Sequence, residues 1–527
     1  MNSGFPELEL HQLCLEPKFA LRLHCFDVDL KILLINPQTP DTFWSFKHAV
    51  RFVSRKASTA PLGLLTVAAM LPPQWELRLV DLNVARLKDE DLRWADYVLL
   101  GAMLVQKESV YAIMARCNAF GKTVIAGGPL FTTGHVAFPE IHHFVLGETE
   151  DVMPRVVADM QSGRLQPVYQ AANRPDITHP PIPRWDLINF RHYVTMSVQF
   201  SRGCPFDCEF CDIIVMNGRL PRTKTPAQLI AELDALCRRG WKDMVFIVDD
   251  NFIGNKQRTK ALLHALIDWR RRTRPRIGFL TEASVNLADD AHLCALMVEA
   301  GFKKVFVGIE TPSVEALEEC HKRQNQNRDL VGSVQTLQRA GLEVMGGFIV
   351  GFDSDQSDIF KRQFEFIQRS GVATAMVGLL SALPQTRLWQ RLKREGRLEV
   401  ESSGNNSDAT LNFKPRLNRD FLQSGYRELV RKLYEPRNYY QRIRTFLKSH
   451  RPTGPRLRLS RDDLMAFLKS FWVLGVWHRG RVGYWRLFWG TLIRRPRQFP
   501  HAIELAIIGY HFRRVANSLR APSSRKR

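Results

Sequence analysis

The 527-residue sequence lacks a fourth metal ligand where it holds three. SRGCPFDCEFCDI, residues 201–213, carries Cys204, Cys208 and Cys211 as C-x3-C-x2-C, three of the chain's nine cysteines. A structural zinc site is closed by four ligands, and no spacing nominates His192 or Cys237 as the fourth. The other cysteines are irregularly placed, which argues against a disulfide framework and for a reducing compartment. A secretory pattern is missing too: Glu7, Glu9, Glu16 and Pro17 stand where an apolar run would be needed. In the Arg- and Trp-rich C-terminal region the longest uncharged apolar stretch is residues 470–478, far short of the roughly 20 that span a bilayer. Internal repeats and long low-complexity tracts are absent. What remains is a cytoplasmic chain, too long for one ordinary domain and with 45% apolar residues, enough for a sizeable core.

Acidic residues are scarce in one place only. Residues 411–527 hold 27 Lys and Arg against 6 Asp and Glu, so nearly all of the net charge of +22 lies there. Three readings fit that segment. Trp, Lys, Arg and bulky aliphatics are the composition of helices lying among lipid headgroups, a peripheral contact with the inner membrane surface. An ordinary helical subdomain with a basic outer face is equally compatible. Nucleic acid fits a pI near 9.8, although no RNA-binding module signature is present.

Apolar runs at 31–36 (KILLIN), 77–82, 97–104, 123–129 and 143–150 alternate with helical stretches such as PLGLLTVAAMLP, residues 61–72. This is the pattern of a doubly wound, Rossmann-like parallel sheet over 26–176, after an extension at 1–25. Gly101, Gly127, Gly128 and Gly147 fall near strand C-terminal ends, where such sheets bind ligands, or else make tight turns. ITHPPIPRWDL, residues 177–187, supports neither helix nor central strand and reads as a linker. Over 188–400 six strand-and-helix units predict a partial (β/α)6 barrel, two short of closure. Its strand ends carry Asp249, Asp250 and Asn251, then Glu282, Glu310 and Thr311, Asp353 and Gln385. Beyond 401 the chain reads as a mostly helical domain.

Three thiolates on one loop ligate three irons of a four-iron cluster, leaving one iron open. With Phe210 before the last cysteine, directly after the first barrel strand, the motif resembles the signature of the radical S-adenosylmethionine superfamily. That resemblance implies a [4Fe-4S] cluster on Cys204, Cys208 and Cys211 whose open iron chelates S-adenosylmethionine. It further implies a low-potential electron donor and a deoxyadenosyl radical that removes hydrogen from substrate. Phe210 would lie against the adenine, Asp249 and Asp250 near the methionine amino group, and Glu282 and Glu310 near the nucleoside. GGFIVG (346–351), with Gly347 as a cosubstrate contact, resembles the fifth-strand motif that passes the adenine. The chain departs from the family in having Asp-Asp-Asn after the second strand in place of Gly-Gly-Glu.

The N-terminal sheet, with Gly127–Gly128–Pro129 and GETE (147–150), resembles the cobalamin-binding domain of B12-dependent members. Gly127, Gly128, Gly147 and Glu148 would then face the corrinoid. The Asp-x-His-x-x-Gly motif of a histidine lower ligand fits none of His24, His48, His135, His142 or His143. GRLPRTK (218–224), VDDNFIGNK (248–256), TEASVNLADD (281–290), VGIETP (307–312) and GLLSALPQTRL (378–388) resemble the branch that includes hopanoid C-2 methylases. The function this implies is methylation of an unactivated carbon of a small-molecule or lipid substrate. The competing expectations are a cobalamin-dependent cyclisation or rearrangement without methyl transfer, a tRNA-modifying radical enzyme, and a metal-stapled protein docking on membrane or nucleic acid. The tRNA reading would want a second cysteine trio, whereas Cys14, Cys25 and Cys117 are scattered.

Overall fold

The computed structural model describes residues 29–453 and 459–519. The predicted extension at 1–25, with Cys14, His24 and Cys25, lies outside them. KILLIN forms the strand Lys31–Asn36, its middle four residues buried, as a continuous apolar run is when helices cover both sheet faces. It sits inside a parallel sheet whose order is Glu76–Asp81, Lys31–Asn36, Tyr97–Gly101, Thr123–Gly127, His143–Leu146, Val168–Gln170. Strand order turns back at Lys31–Asn36, the crevice where doubly wound sheets take ligands.

The six predicted barrel strands are Tyr193–Val198, Met244–Ile247, Gly278–Ala283, Phe302–Glu310, Glu343–Val350 and Ala375–Leu379, all parallel and neighbours in that sequence. The sheet stays open and gains a seventh strand from an unexpected source. Ala57–Thr59 pairs with Tyr193–Val198, so residues of the N-terminal stretch complete the barrel's edge. Three residues of Ala, Ser and Thr carry no alternation from which a strand could be read. Helix Pro226–Arg238 follows its sequence signals. Pro226 opens it, Thr225 Oγ1 accepts from the Gln228 N–H, and Gln228 Oε1 accepts from the Thr225 N–H at 2.8 Å.

The segment around Phe43–Val50 also leaves the first sheet. Phe43 stacks on Phe512 with ring centroids 4.0 Å apart, Trp44 meets Phe306 of the barrel edge-on at 5.1 Å, and His511 bonds the Phe43 carbonyl at 3.1 Å. Burial pushes the His511 imidazole down to about 4, so it is neutral there. The C-terminal helices Arg419–Tyr434, Pro436–Ser449, Arg461–Trp472, Arg481–Arg494 and Phe499–Ser518 are fused to the barrel. The Tyr434 hydroxyl donates to the Ala375 carbonyl at 2.6 Å and accepts from its N–H at 3.2 Å. At the strands' N-terminal ends Lys304 pairs with Glu343 at 3.0 Å and with Glu504 at 2.6 Å, and His501 meets Glu343 at 2.6 Å. Burial opposes ionisation of Glu343, but Lys304 and His501 hold its carboxyl well below the usual range. No helix among the described residues is long and apolar enough to cross a membrane.

Phe43→Ala removes the stacked ring that joins the N-terminal stretch to the last helix. It should destabilise the protein by about 3–5 kcal/mol, read as a lower denaturation midpoint with the slope of the transition unchanged.

Candidate active site between the two sheets

The cysteine loop leaves the first barrel strand through a tight turn at Gly203, φ +97°, where a Cβ would lie 2.9 Å from the Gly218 carbonyl oxygen. Three consecutive residues at the end of the second strand hold this loop. Asp249 accepts from the Phe200 N–H and the Ser201 hydroxyl, both at 2.7 Å. Asp250 accepts from the Gly203 N–H at 2.8 Å and the Asn217 amide at 2.9 Å. Asn251 directs its amide at Cys204 Sγ, 3.8 Å away, and accepts from the Ser284 N–H at 3.2 Å. Both oxygens of Asp249 are thus committed to the loop, and burial pushes its carboxyl up to about 7. Asp249, which also borders the cavity between the sheets, thus holds the cysteine loop in place.

Cys204, Cys208 and Cys211 are free thiols. Amide N–H groups point at two of them, Asn251 at Cys204 and Gln324 at Cys208, the latter at 3.7 Å. Burial raises the Cys204 and Cys211 thiols above the ordinary cysteine range. The compensating charge is Lys322. Burial works against it, but Glu310 and the thiols of Cys208 and Cys211 keep it protonated. Lys322 pairs with Glu310 at 2.7 Å and lies 6.0 Å from the ring centre of Phe210, which also faces Phe352. Amide donors and a buried cation around three unpaired thiols suit a thiolate-ligated cluster. His192, one of the two residues considered as a fourth zinc ligand, precedes the first strand while Cys204 follows it, a strand length away. Among the described residues no three His, Cys, Asp or Glu side chains group as ligands of a single metal ion.

The other expected contacts divide. Glu282 borders the cavity between the sheets, with no hydrogen bond or ion pair to its side chain among the described residues. Burial, then the charges of Asp250 and Asp249, push its carboxyl up to about 8. Glu310 ends its strand at φ +66° and is engaged by Lys322. Gly347 is covered: a Cβ there would lie 2.7 Å from the Phe306 ring. Its missing side chain makes room for Phe306. Asp353 is bound by Arg397 at 2.6 Å and Arg391 at 3.0 Å. Gln385 donates to the Thr133 carbonyl across the two units at 3.3 Å.

Opposite the loop, Gly63, Gly101, Gly127, Gly128 and Gly147 border the same cavity. Gly128 has φ +95° and packs so closely that a Cβ would sit 3.0 Å from the Ala102 carbonyl oxygen. A wall of glycines interleaved with Leu64, Ile125 and Val145 lets a broad, flat ligand approach backbone, which fits a corrinoid. No histidine borders that wall among the described residues; His450 and His501 line the cavity's far end. Glu148, expected to face the cofactor, borders this cavity and is also held by two arginines: it accepts from Arg202 at 2.7 Å and from both terminal nitrogens of Arg222. Glu150 holds the second terminal nitrogen of Arg202 at 2.7 Å. Sequence reasoning missed these arginines and Lys322, because a pair distant in sequence leaves no spacing to read.

The cavity has a volume of about 2160 Å³. It extends from the glycine wall past Arg202, Ile213 and Asn217, which flank the cysteine loop, into a barrel lined by Phe246, Val248, Leu280, Phe306 and Met345. It ends among the C-terminal helices.

Residues 198–367 match the Radical SAM superfamily, and residues 386–524 match a domain of unknown function, DUF4070. An uncharacterized methyltransferase of Synechocystis sp. is 43% identical over 490 residues, 92% of this chain and 91% of that protein. The hopanoid C-2 methylase of Rhodopseudomonas palustris is 34% identical over 478 residues, 88% of this chain and 90% of the methylase. The solved structure of the cobalamin-dependent S-adenosylmethionine radical enzyme OxsB, with aqua-cobalamin and S-adenosylmethionine bound, shares the fold. Its TM-score is 0.60 at 14% identity, over 93% of this chain and 80% of that one. With 43% and 34% identity to such relatives over most of its length, the chain belongs to the radical S-adenosylmethionine superfamily, in the branch that contains the hopanoid C-2 methylase.

Proposed function

We propose that the chain methylates an unactivated carbon of an apolar substrate, of the hopanoid lipid class, using a [4Fe-4S] cluster, S-adenosylmethionine and cobalamin. The observation that carries this reading is the single apolar cavity joining the glycine wall, the flank of the cysteine loop and the barrel interior. Cys204, Cys208 and Cys211 would hold the cluster, and the wall at Gly127, Gly128 and Gly147 would hold the corrinoid without a histidine from the protein. When bound, these groups supply what side chains lack, one-electron cleavage of S-adenosylmethionine and a transferable methyl. The residues supply placement. Asp249, Asp250 and Asn251 fix the loop, Lys322 balances the thiolates' charge, and Phe246, Leu280, Phe306 and Met345 exclude water from a site where a radical must not be quenched. Electrons would come from a low-potential donor. Glu282 is the carboxyl left unpaired at the cavity, and it would meet the cationic end of S-adenosylmethionine.

Anaerobically purified, cluster-reconstituted enzyme supplied with corrinoid should add labelled methyl from methionine-derived S-adenosylmethionine to a hopanoid, raising product mass by one CH2. A product of unchanged carbon count would instead establish cyclisation or rearrangement. Replacing Cys204, Cys208 and Cys211 with Ser should abolish iron content and deoxyadenosine formation together.

Glu282→Gln should leave iron content intact and weaken S-adenosylmethionine binding roughly tenfold or more, the scale of one lost charge-assisted hydrogen bond. The sign with pH follows from its raised value. Below about 8 the carboxyl of the free enzyme is protonated, so binding a cation must expel that proton, and affinity should rise from about pH 6 to about 8. Equilibrium binding across that range checks the slope, which should flatten in the variant.

A further inference from the structure

We infer that the face formed by helices Arg461–Trp472 and Arg481–Arg494 docks on an anionic bilayer, and that the lower end of the cavity opens at that face. Of the 20 large hydrophobic side chains exposed among the described residues, 11 fall between Leu459 and Ile493. Leu464, Leu468 and Trp472 follow at intervals of four on one side of the first helix, and Val476 is exposed in the turn after it. Val482, Trp489 and Ile493 continue the patch on the second. Trp477, in the widened turn between them, is 82% exposed, and Ile493 is 74% exposed. Scattered exposed hydrophobics need no explanation, whereas a contiguous patch of this kind marks a partner.

Charge chooses among partners. Residues 461–500 contain eight Lys and Arg against two acids, Asp462 and Asp463 in the first turn of the first helix, of which Asp462 is paired with Arg55. Basic groups rimming inserted Trp and aliphatic side chains complement an anionic headgroup layer over hydrocarbon. A nucleic acid would pair with the arginines but offers nothing to Leu464, Leu468 and Ile493. No helix here can span the bilayer, so the contact is interfacial.

The first of these helices and the turn into helix Phe499–Ser518 close the cavity. Leu459, Leu464, Ala466 and Phe467 from one side and Arg497 and Phe499 from the other border it. Leu464 is 59% exposed and borders the cavity as well, so the mouth lies at the edge of the docking patch. An apolar substrate could then pass from bilayer to barrel without crossing water. Only this purpose of the opening rests on the proposed function. Docking and the position of the mouth are read without turnover, and so fail separately from it.

The test uses the full-length, cluster-loaded enzyme and vesicles of phosphatidylcholine, alone or with about 30 mol% phosphatidylglycerol. Flotation should show binding to the anionic vesicles that weakens as salt rises. The W472E/W477E/I493E variant, altered only at exposed positions, should lose it by on the order of tenfold or more with an unchanged melting midpoint. Bromine on the lipid acyl chains should quench tryptophan emission. Leu464→Cys carrying an environment-sensitive dye should shift to the blue with anionic vesicles, placing the mouth in hydrocarbon. The inference is overturned by absence of vesicle binding, by binding that the triple variant retains, or by single-stranded RNA binding in its place. A dye at position 464 that still reports water on bound vesicles would overturn the opening alone.

Discussion

The site depends on one half-buried ion cluster. Arg202 stands two residues before Cys204, and its two terminal nitrogens are taken by Glu148 and Glu150 of the N-terminal sheet, with Arg222 of the neighbouring hairpin strand sharing Glu148. Removing four charges from water is expensive, and their mutual attraction offsets it only when the geometry is right. A misplaced unit would strand a half-buried charge. The cluster therefore behaves as a registry device: glycine wall and cysteine loop come together at one separation or not at all. Chemistry that passes a group between two cofactors depends on that separation more than on any single side chain.

The cysteine loop, the six barrel strands and the first sheet were legible in the sequence because each has a local signature: a ligand spacing, a buried apolar run, a proline after a capping threonine. The site's supporting shell was not. Asp249 looked like a ligand-binding acid at a strand end, and its commitment to Phe200 and Ser201 depends on how two strands lie side by side. Glu148 looked like a polar neighbour of a cofactor glycine, and its arginines are more than fifty residues away. Gly347 looked like a contact for the adenine, and the neighbour its missing side chain admits, Phe306, comes from the adjacent strand. In each case residue type was informative and partner identity was not, since partners are set by register between strands. Ala57–Thr59 was missed for the opposite reason. Three small polar or weakly apolar residues carry no period, and only an open barrel edge recruits them.

Net charge shows the same gap between count and placement. The basic C-terminal segment invited a surface reading throughout, yet some of its arginines are interior. Arg442 is fully buried, donating to the Leu433 carbonyl at 2.9 Å and to Gln368 at 2.8 Å. Arg513 is buried between the rings of Tyr439 and Tyr440. These residues bind helix to helix and helix to barrel. The segment is therefore no appended tail: Tyr434 caps a barrel strand, Phe512 holds the N-terminal stretch, and Glu504 shares Lys304 with Glu343.

That integration has a consequence for the cavity. An open barrel of parallel strands leaves both ends of its interior exposed, and the N-terminal sheet covers only the end that carries the cysteines. The C-terminal helices cover the other. They do so with a charged layer, Lys304, Glu343, Glu504 and His501, whose members are paired with one another and so are stable beside an apolar chamber. Paired charges at the base and phenylalanines above it give the chamber a polar floor and apolar walls. Helices that did no more than plug a barrel would turn their apolar faces inward. Here Leu468, Trp472 and Trp477 turn outward, and closing the barrel does not account for them.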